Sequence, residues 1–318
     1  MEGTKSLRSS KRKRVVVVGA GVAGLSAAAH ASRRGYDVEV LERSSSVGGK
    51  ASTIREHGCA LDPGPSIVIM KEVYEWLFEG LGEDVNRYVE FQRLDPITVV
   101  EMKGQRRIKL PADKESCIEV LSRAFPSDSE SLRKLMKILD RHCPKVMDAL
   151  RAGPFNGPLD LLRPGLMRFA LSLKPHLDYK SKVDRFFSSD VLRAMFYGFP
   201  SYSGLDYKTS SVAPFMIPWS MLNGGVWFPM GGVGEIPRAF SRLLEEAQVP
   251  IATETQVEFL EKDGQALKSI STESGERIGF DYLIWAADRY QFDEKVGRDR
   301  PQESSYSYFT YHLSLIHI

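Results

Sequence analysis

Gly19, Gly21 and Gly24 stand directly behind four consecutive valines, Val15 to Val18. Their spacing, G-x-G-x-x-G, is one that binds dinucleotides. The first glycine permits a tight turn, the second lets backbone approach a pyrophosphate, and the third lets a helix pack closely on a strand. Further on stands Glu42, a carboxylate able to accept hydrogen bonds from an adenosine ribose. This is chemistry of binding. No nucleophile, histidine and acid stand at catalytic spacing, no cluster has metal-ligand spacing, and His30, His57, His142 and His176 are isolated, so no catalytic residue and no metal are assigned.

The elements that must hold these residues follow from the neighbouring side chains. A run of valines suits a strand buried on both faces of a parallel sheet. The small residues Ala27 to Ala29 extend a helix, whose N-terminus aims free N–H groups and the positive dipole end at a diphosphate. Gly35 stops that helix. Tyr36 to Leu41 reads as a second parallel strand, with Glu42 at its carboxyl end. Strand, glycine turn, helix, strand and acid make an α/β dinucleotide unit; a glycine motif alone is weak evidence, and the complete context strengthens it.

Three further stretches carry a resemblance. Glu42-Arg43 followed by Val47-Gly48-Gly49-Lys50-Ala51-Ser52 resembles the two-glycine loop of flavoproteins in the amine oxidase and phytoene desaturase superfamily. Asp62-Pro63-Gly64-Pro65-Ser66 resembles the D-x-G-P-S stretch that phytoene desaturase-like enzymes place beside the flavin ring, with Pro63 where threonine is more usual. Trp227-Phe228-Pro229 running into Gly231-Gly232-Val233-Gly234 is similar to the W-[YF]-P-x-G-G loop of the same enzymes. On local sequence alone these also read as a flexible loop and an ordinary Pro-Gly turn. The resemblance implies FAD as cofactor, bound by Gly19, Ala20, Gly21, Gly24, Glu42, Arg43, Gly48, Gly49, Lys50, Gly64, Pro65 and Ser66, with backbone contacts from Val257 to the adenine. It implies a Rossmann-like FAD-binding domain of the glutathione reductase type, with an inserted α+β substrate domain.

Composition bounds the remaining possibilities. A chain of 318 residues has room for two domains, and a net charge of +2 does not point to nucleic acid. The cations Lys11 to Arg14 read as a solvated arm. Cys59, Cys117 and Cys143 are odd in number and widely spaced, which fits a reducing, cytoplasmic compartment better than a disulfide framework. No apolar run reaches the ~18 residues of a spanning helix, and no signal peptide is visible at the N-terminus.

Taken in order, 1–14 is the arm, 15–110 the first part of the FAD domain, 111–224 the substrate and membrane-associating domain, 225–290 the second FAD part with a meander, and 291–312 the start of a truncated C-terminal part. The spacing predicts a short extended piece at Ala51 to Ile54 and a helix over Glu72 to Leu81 packing Val73, Trp76, Leu77 and Leu81. A hairpin is expected around Lys103-Gly104, and a helix within Ser127 to Asp148 packing Leu132, Leu135, Met136, Leu139 and Val146, with Ser127 or Asp128 as cap. Between Ala149 and Phe187, short leucine-rich pieces flanked by Arg163, Arg168, Lys174, Lys180, Lys182 and Arg185 suit a membrane surface, and equally a helix packed on its neighbours. The aromatic stretch Arg193 to Gly225 suits an apolar tunnel or plain core. Val249 to Thr253, Val257 to Leu260, Leu267 to Thr272 and Arg277-Ile278 form a meander leading to the strand at Tyr282.

The last six residues, Leu313 to Ile318, match the translation of a transposase mosaic-end adapter, CTGTCTCTTATACACATC, so 313–318 is expected to be adapter-derived and the native protein to continue. Other codons at those positions would exclude that origin. The family resemblance implies an FAD-dependent oxidoreductase that desaturates or isomerises a long apolar polyene such as phytoene, the fragment being inactive alone, with peripheral membrane contact and no nucleic acid. Amine or protoporphyrinogen oxidases and non-catalytic escort proteins share the fold and stay open as alternatives.

Overall fold

A computed structural model describes residues 12–102, 107–153, 178–264 and 266–298, with Leu159, Leu162, Met167, Arg168 and Leu171 between them. Four valines in a row leave no polar face. Arg14–Val18 accordingly forms the inner strand β1 of a four-stranded sheet, its valines 0 to 7 % exposed. Strand β2 (Asp37–Leu41) and strand Tyr282–Trp285 pair with β1 in parallel on either side, and Ile251–Ala252 runs parallel beyond β2. Helix α1 (Val22–Arg33) connects β1 to β2 and ends just before Gly35, which adopts the left-handed φ of 83° that ends a helix cheaply only at glycine.

By chain contacts the molecule divides into two compact units. One comprises residues up to Ser66, Leu77–Phe91 and Pro229 to the last described residue, Arg298; the other comprises Ile67–Trp76 and Gln92–Phe228. The first unit adds to its parallel sheet an antiparallel meander, Val257–Asp263, Ala266–Thr272 and Arg277–Gly279. Val16, Val18 and Leu41 of the sheet pack with Val257, Ile270 and Ile278 of the meander. Ile251–Ala252 was expected in that meander and belongs to the parallel sheet, because the amides of Val40 and Glu42 donate to the carbonyls of Pro250 and Ala252.

The second unit is built mainly of helices: Lys114–Ala124, Ser129–Arg151, Tyr179–Phe186, Asp190–Gly198 and Met216–Asn223. The stripe expected on the long helix faces inward: Leu132, Leu135, Met136, Leu139 and Val146 are all buried, with Cys143 among them. Phe196 and Phe215 of the aromatic stretch join this core beside Tyr179 and Phe187, which makes them packing residues. The expected hairpin forms from Thr98–Glu101 and Arg107–Leu110, its turn at 103–106 lying outside the described residues.

Four expectations are corrected. Gly49–Ala51 is a single 3-10 turn and the strand begins only at Ile54, because Gly48 and Gly49 turn the backbone at φ 127° and 57°. In the helix Lys71–Glu79, Phe78 is the buried side chain, its ring tilted against that of Phe240 with centroids 4.6 Å apart, whereas Val73, Trp76 and Leu77 are only half-buried. Lys182 of the basic flank is buried, while Leu159, Leu162 and Leu171 are exposed; most of 154–177 lies outside the described residues. Finally, Asp128 makes no side-chain cap to its helix. Its carboxylate accepts instead from the Ser188 amide at 2.7 Å, the Ser188 hydroxyl at 2.9 Å and the Ser189 amide at 2.8 Å. Among the described residues no helix is long and apolar enough to cross a membrane, and the three cysteines are free.

Burial acts to raise the Asp128 pKa, but the two amides, the hydroxyl and Arg193 outweigh it and hold the carboxyl below its usual value. A depressed folded pKa stabilises the fold above the unfolded value of about 3.9, and that stability is lost as pH falls through the folded value. Asp128→Ala is expected to cost about 2–4 kcal/mol near neutral pH, since it leaves buried donors unpaired. Urea midpoints between pH 5 and pH 3 should then fall less steeply in the variant than in the parent; parallel pH profiles would refute this account.

Candidate functional site

The glycine turn has no spare room at two of its three glycines. Gly19 takes a φ of 101°, and a Cβ there would stand 3.1 Å from the Ala286 carbonyl carbon and the Ala287 nitrogen. A Cβ on Gly24 would stand 1.9 Å from the Gly19 carbonyl oxygen, well inside contact distance. Gly21 differs. It caps α1 with an ordinary φ of −77°, and a Cβ there would have the Gly48 oxygen at 3.9 Å as its one neighbour. The first amides of a helix have no intrahelical acceptor, and no side chain caps them here. Open space, unclaimed donors and the dipole coincide at Gly21, which fits a diphosphate.

Ala20 and Glu42 brace the turn from behind. The Ala20 amide donates to Glu42 Oε2 at 2.7 Å, and the Ser44 amide donates to Oε1 at 2.9 Å. Glu42 is 8 % exposed, so its carboxylate holds backbone as well as standing at the position expected for a ribose ligand. Arg43, next to it, is exposed. Val257 is buried; the amides of Glu254 and Thr255, just before it, donate to the carbonyls of Ser44 and Glu42 and so tie the start of the meander to the acid.

The two-glycine loop closes on the same turn. Gly48 donates to the Ala20 carbonyl at 2.8 Å and forms a parallel bridge with Gly21, while a Cβ on Gly49 would stand 3.3 Å from the Gly21 Cα. Lys50 follows, exposed; its carbonyl oxygen lies 2.3 Å from where a Cβ on Gly64 would be, so Gly64 must be glycine. Pro65 and Ser66 continue from it on the surface. Gly19, Gly21, Gly49, Lys50 and Gly64 therefore present neighbouring stretches of main chain, with Ala20, Gly24, Glu42 and Gly48 buried behind them.

Sequence reasoning missed how the later glycine loop attaches. Thr53 Oγ1 donates to Asp62 Oδ1 at 2.6 Å and accepts from the Gly234 amide at 2.8 Å, and the Val233 amide donates to both Asp62 oxygens at 3.1 and 3.2 Å. Arg55 adds a bond to the Gly231 carbonyl at 2.6 Å and an ion pair with Glu235. The available signal was position: Thr53 and Asp62 flank the hairpin in which Ile54 pairs with Leu61, so they are the next cross-strand neighbours.

Among the described residues no group of histidines, cysteines and acids is placed to hold a metal. An open cleft within the second unit is lined by Arg93, Asp95, Ala112, Asp113, Lys114, Leu222 and Asn223, and Lys114 is already paired with Asp140 at 2.6 Å.

Comparison with known proteins places the chain in a family. The profile of the family described as flavin containing amine oxidoreductase matches residues 22–303. A zeta-carotene-forming phytoene desaturase of Myxococcus xanthus is 30 % identical over 288 residues, which cover 91 % of this chain and 56 % of that protein. A 4,4'-diapolycopene oxygenase of Methylomonas is 27 % identical over 280 residues, 87 % of this chain and 56 % of the relative. The chain thus spans about half the length of the curated relatives it matches. A solved oxidoreductase from Methanosarcina mazei superposes with a TM-score of 0.62 over 89 % of this chain and 60 % of that one, at 18 % identity, a likeness of fold.

The contrast between the glycines is testable without ligand. Gly24→Ala is expected to lower the melting temperature by about 5 °C or more, because helix and turn must part. Gly21→Ala should leave the melting temperature of the flavin-free protein within about 2 °C. A Gly24→Ala variant as stable as the parent would contradict the close approach described.

Proposed function

This chain belongs to the flavin-containing amine oxidoreductase family, whose cofactor is FAD, and we propose that the complete protein is an FAD-dependent oxidoreductase that desaturates a long apolar polyene of the phytoene type. The observation that carries the reading is the 30 % identity to a zeta-carotene-forming desaturase across 91 % of the chain.

Bound FAD supplies a two-electron acceptor for hydride leaving an unactivated carbon. The protein's part is to bind, orient and exclude water. In this reading the open amides beside Gly21 hold the diphosphate, and Glu42 uses its remaining lone pairs on the ribose while bracing Ala20 and Ser44. Arg43 stands beside the acid, Val257 offers backbone to the adenine, and Gly48 to Lys50 with Gly64 to Ser66 let cofactor approach bare main chain. In this reading the unit of residues up to Ser66, Leu77–Phe91 and from Pro229 onward supplies the cofactor site, and the unit of Ile67–Trp76 and Gln92–Phe228, which takes in 92–110 as well as the expected 111–224, supplies the apolar substrate site. The exposed Leu159, Leu162, Met167 and Leu171 are the side chains offered to a lipid surface, from which such a substrate is collected.

The test uses the complete protein. Its visible spectrum should show flavin, and incubation with phytoene in liposomes should produce new long-wavelength polyene bands. Flavin with no polyene change and with turnover of amines would overturn the desaturase reading in favour of an amine oxidase. Gly21→Ala, which the flavin-free fold accommodates, is expected to weaken FAD binding by about a hundredfold, because a methyl group fills the space where the diphosphate must meet the helix amides. Unchanged affinity in flavin titration would remove Gly21 from the site.

A further inference from the structure

The hairpin Ile54–Glu56 and Cys59–Leu61 follows the two-glycine loop and leads to Gly64. All six strand residues are exposed, Ile54 and Leu61 at 42 % each, so apolar burial does not fix the position of this hairpin. What fixes it is polar. The Thr53 hydroxyl spends its donor on Asp62 and an acceptor on the Gly234 amide, and both Asp62 oxygens receive the Val233 amide. The fit is close: a Cβ on Gly232 would stand 2.6 Å from Thr53 Oγ1 and 2.7 Å from Asp62 Oδ1, and one on Gly234 2.7 Å from Thr53 Oγ1. Only a bare backbone brings both amides within reach.

We infer that Thr53 and Asp62 are positioning residues for the flavin, a polar latch that locks the Gly231–Gly234 loop onto the Lys50–Ser66 stretch and so sets where Gly64 stands. Thr53 stands three positions after Lys50, and Asp62 two positions before Gly64, whose backbone rests on the Lys50 carbonyl. Lys50 in turn continues from Gly48 and Gly49 at the Gly21 bridge. A shift at the latch therefore reaches main chain that the cofactor approaches, although neither latch side chain needs to touch it. The inference rests on the assignment of this surface to FAD.

Thr53→Val keeps the shape and removes the hydroxyl; Thr53→Ser keeps both hydrogen bonds. In the complete protein, Thr53→Val is expected to raise the FAD dissociation constant by about tenfold or more and to alter the flavin's visible band, with Thr53→Ser within about twofold of the parent. Leu81→Ala, a buried change elsewhere in the same unit, controls for lost stability: it should lower the melting temperature and leave FAD affinity alone. Equal weakening by Leu81→Ala, or parental affinity and spectrum in Thr53→Val, would overturn the inference. If Thr53→Val does not fold, Asp62→Asn decides, because its amide group turns a donor toward the Val233 amide: about threefold or greater weakening supports the latch and no change overturns it. A parent protein without FAD affinity would overturn the cofactor assignment together with the latch, whereas failure of the variants alone leaves that assignment standing.

Discussion

The close approach of α1 to the turn beneath it is the constraint on which the rest depends. Where Gly24 passes the Gly19 carbonyl, a methyl group would meet oxygen at 1.9 Å, so strand end and helix start can stand this near only without side chains. Everything after the turn inherits that geometry. The helix amides open at Gly21, β2 returns parallel to β1, and Glu42 arrives behind Ala20 at hydrogen-bonding distance.

Two kinds of force hold the two units. The helical unit is organised by non-directional packing, in which Leu135, Leu139, Phe187 and Phe215 are buried almost completely and any well-packed arrangement of similar volume would serve. The loops of the other unit, from Gly19 to Gly64 and at Gly231 to Gly234, are held by directional bonds to backbone amides and by the absence of side chains. Directional bonds set atom positions more narrowly than packing does. A surface of that kind is suited to present main chain to a ligand.

Buried carboxylates show the same division of labour. Glu42 and Asp128 both accept amide hydrogens in sites almost closed to water, and both join segments far apart in sequence. In Glu42 this bracing serves a residue that also stands in register with the dinucleotide motif. Asp128 has no such register, and its three donors from Ser188 and Ser189 account for its burial without any ligand.

The sequence alone determined what depends on local geometry and short-range pattern. Val15 to Val18, the G-x-G-x-x-G spacing, Gly35 and the stripe from Leu132 to Val146 state their strand, turn, helix end and buried face through side-chain shape and period, which need no distant partner. Tertiary structure decided whatever depended on which remote segment arrived. Ile251–Ala252 reads as a meander strand until Val40 and Glu42 offer it a parallel edge. Phe78 outranks its neighbours in burial because Phe240 comes to meet it, and Asp128 gives up a cap for two serines sixty positions on. The same holds for Thr53 and Asp62, whose partners lie more than 170 residues away. A hydroxyl and a carboxylate announce that they will find hydrogen-bond partners; which amides they find is a property of the folded chain.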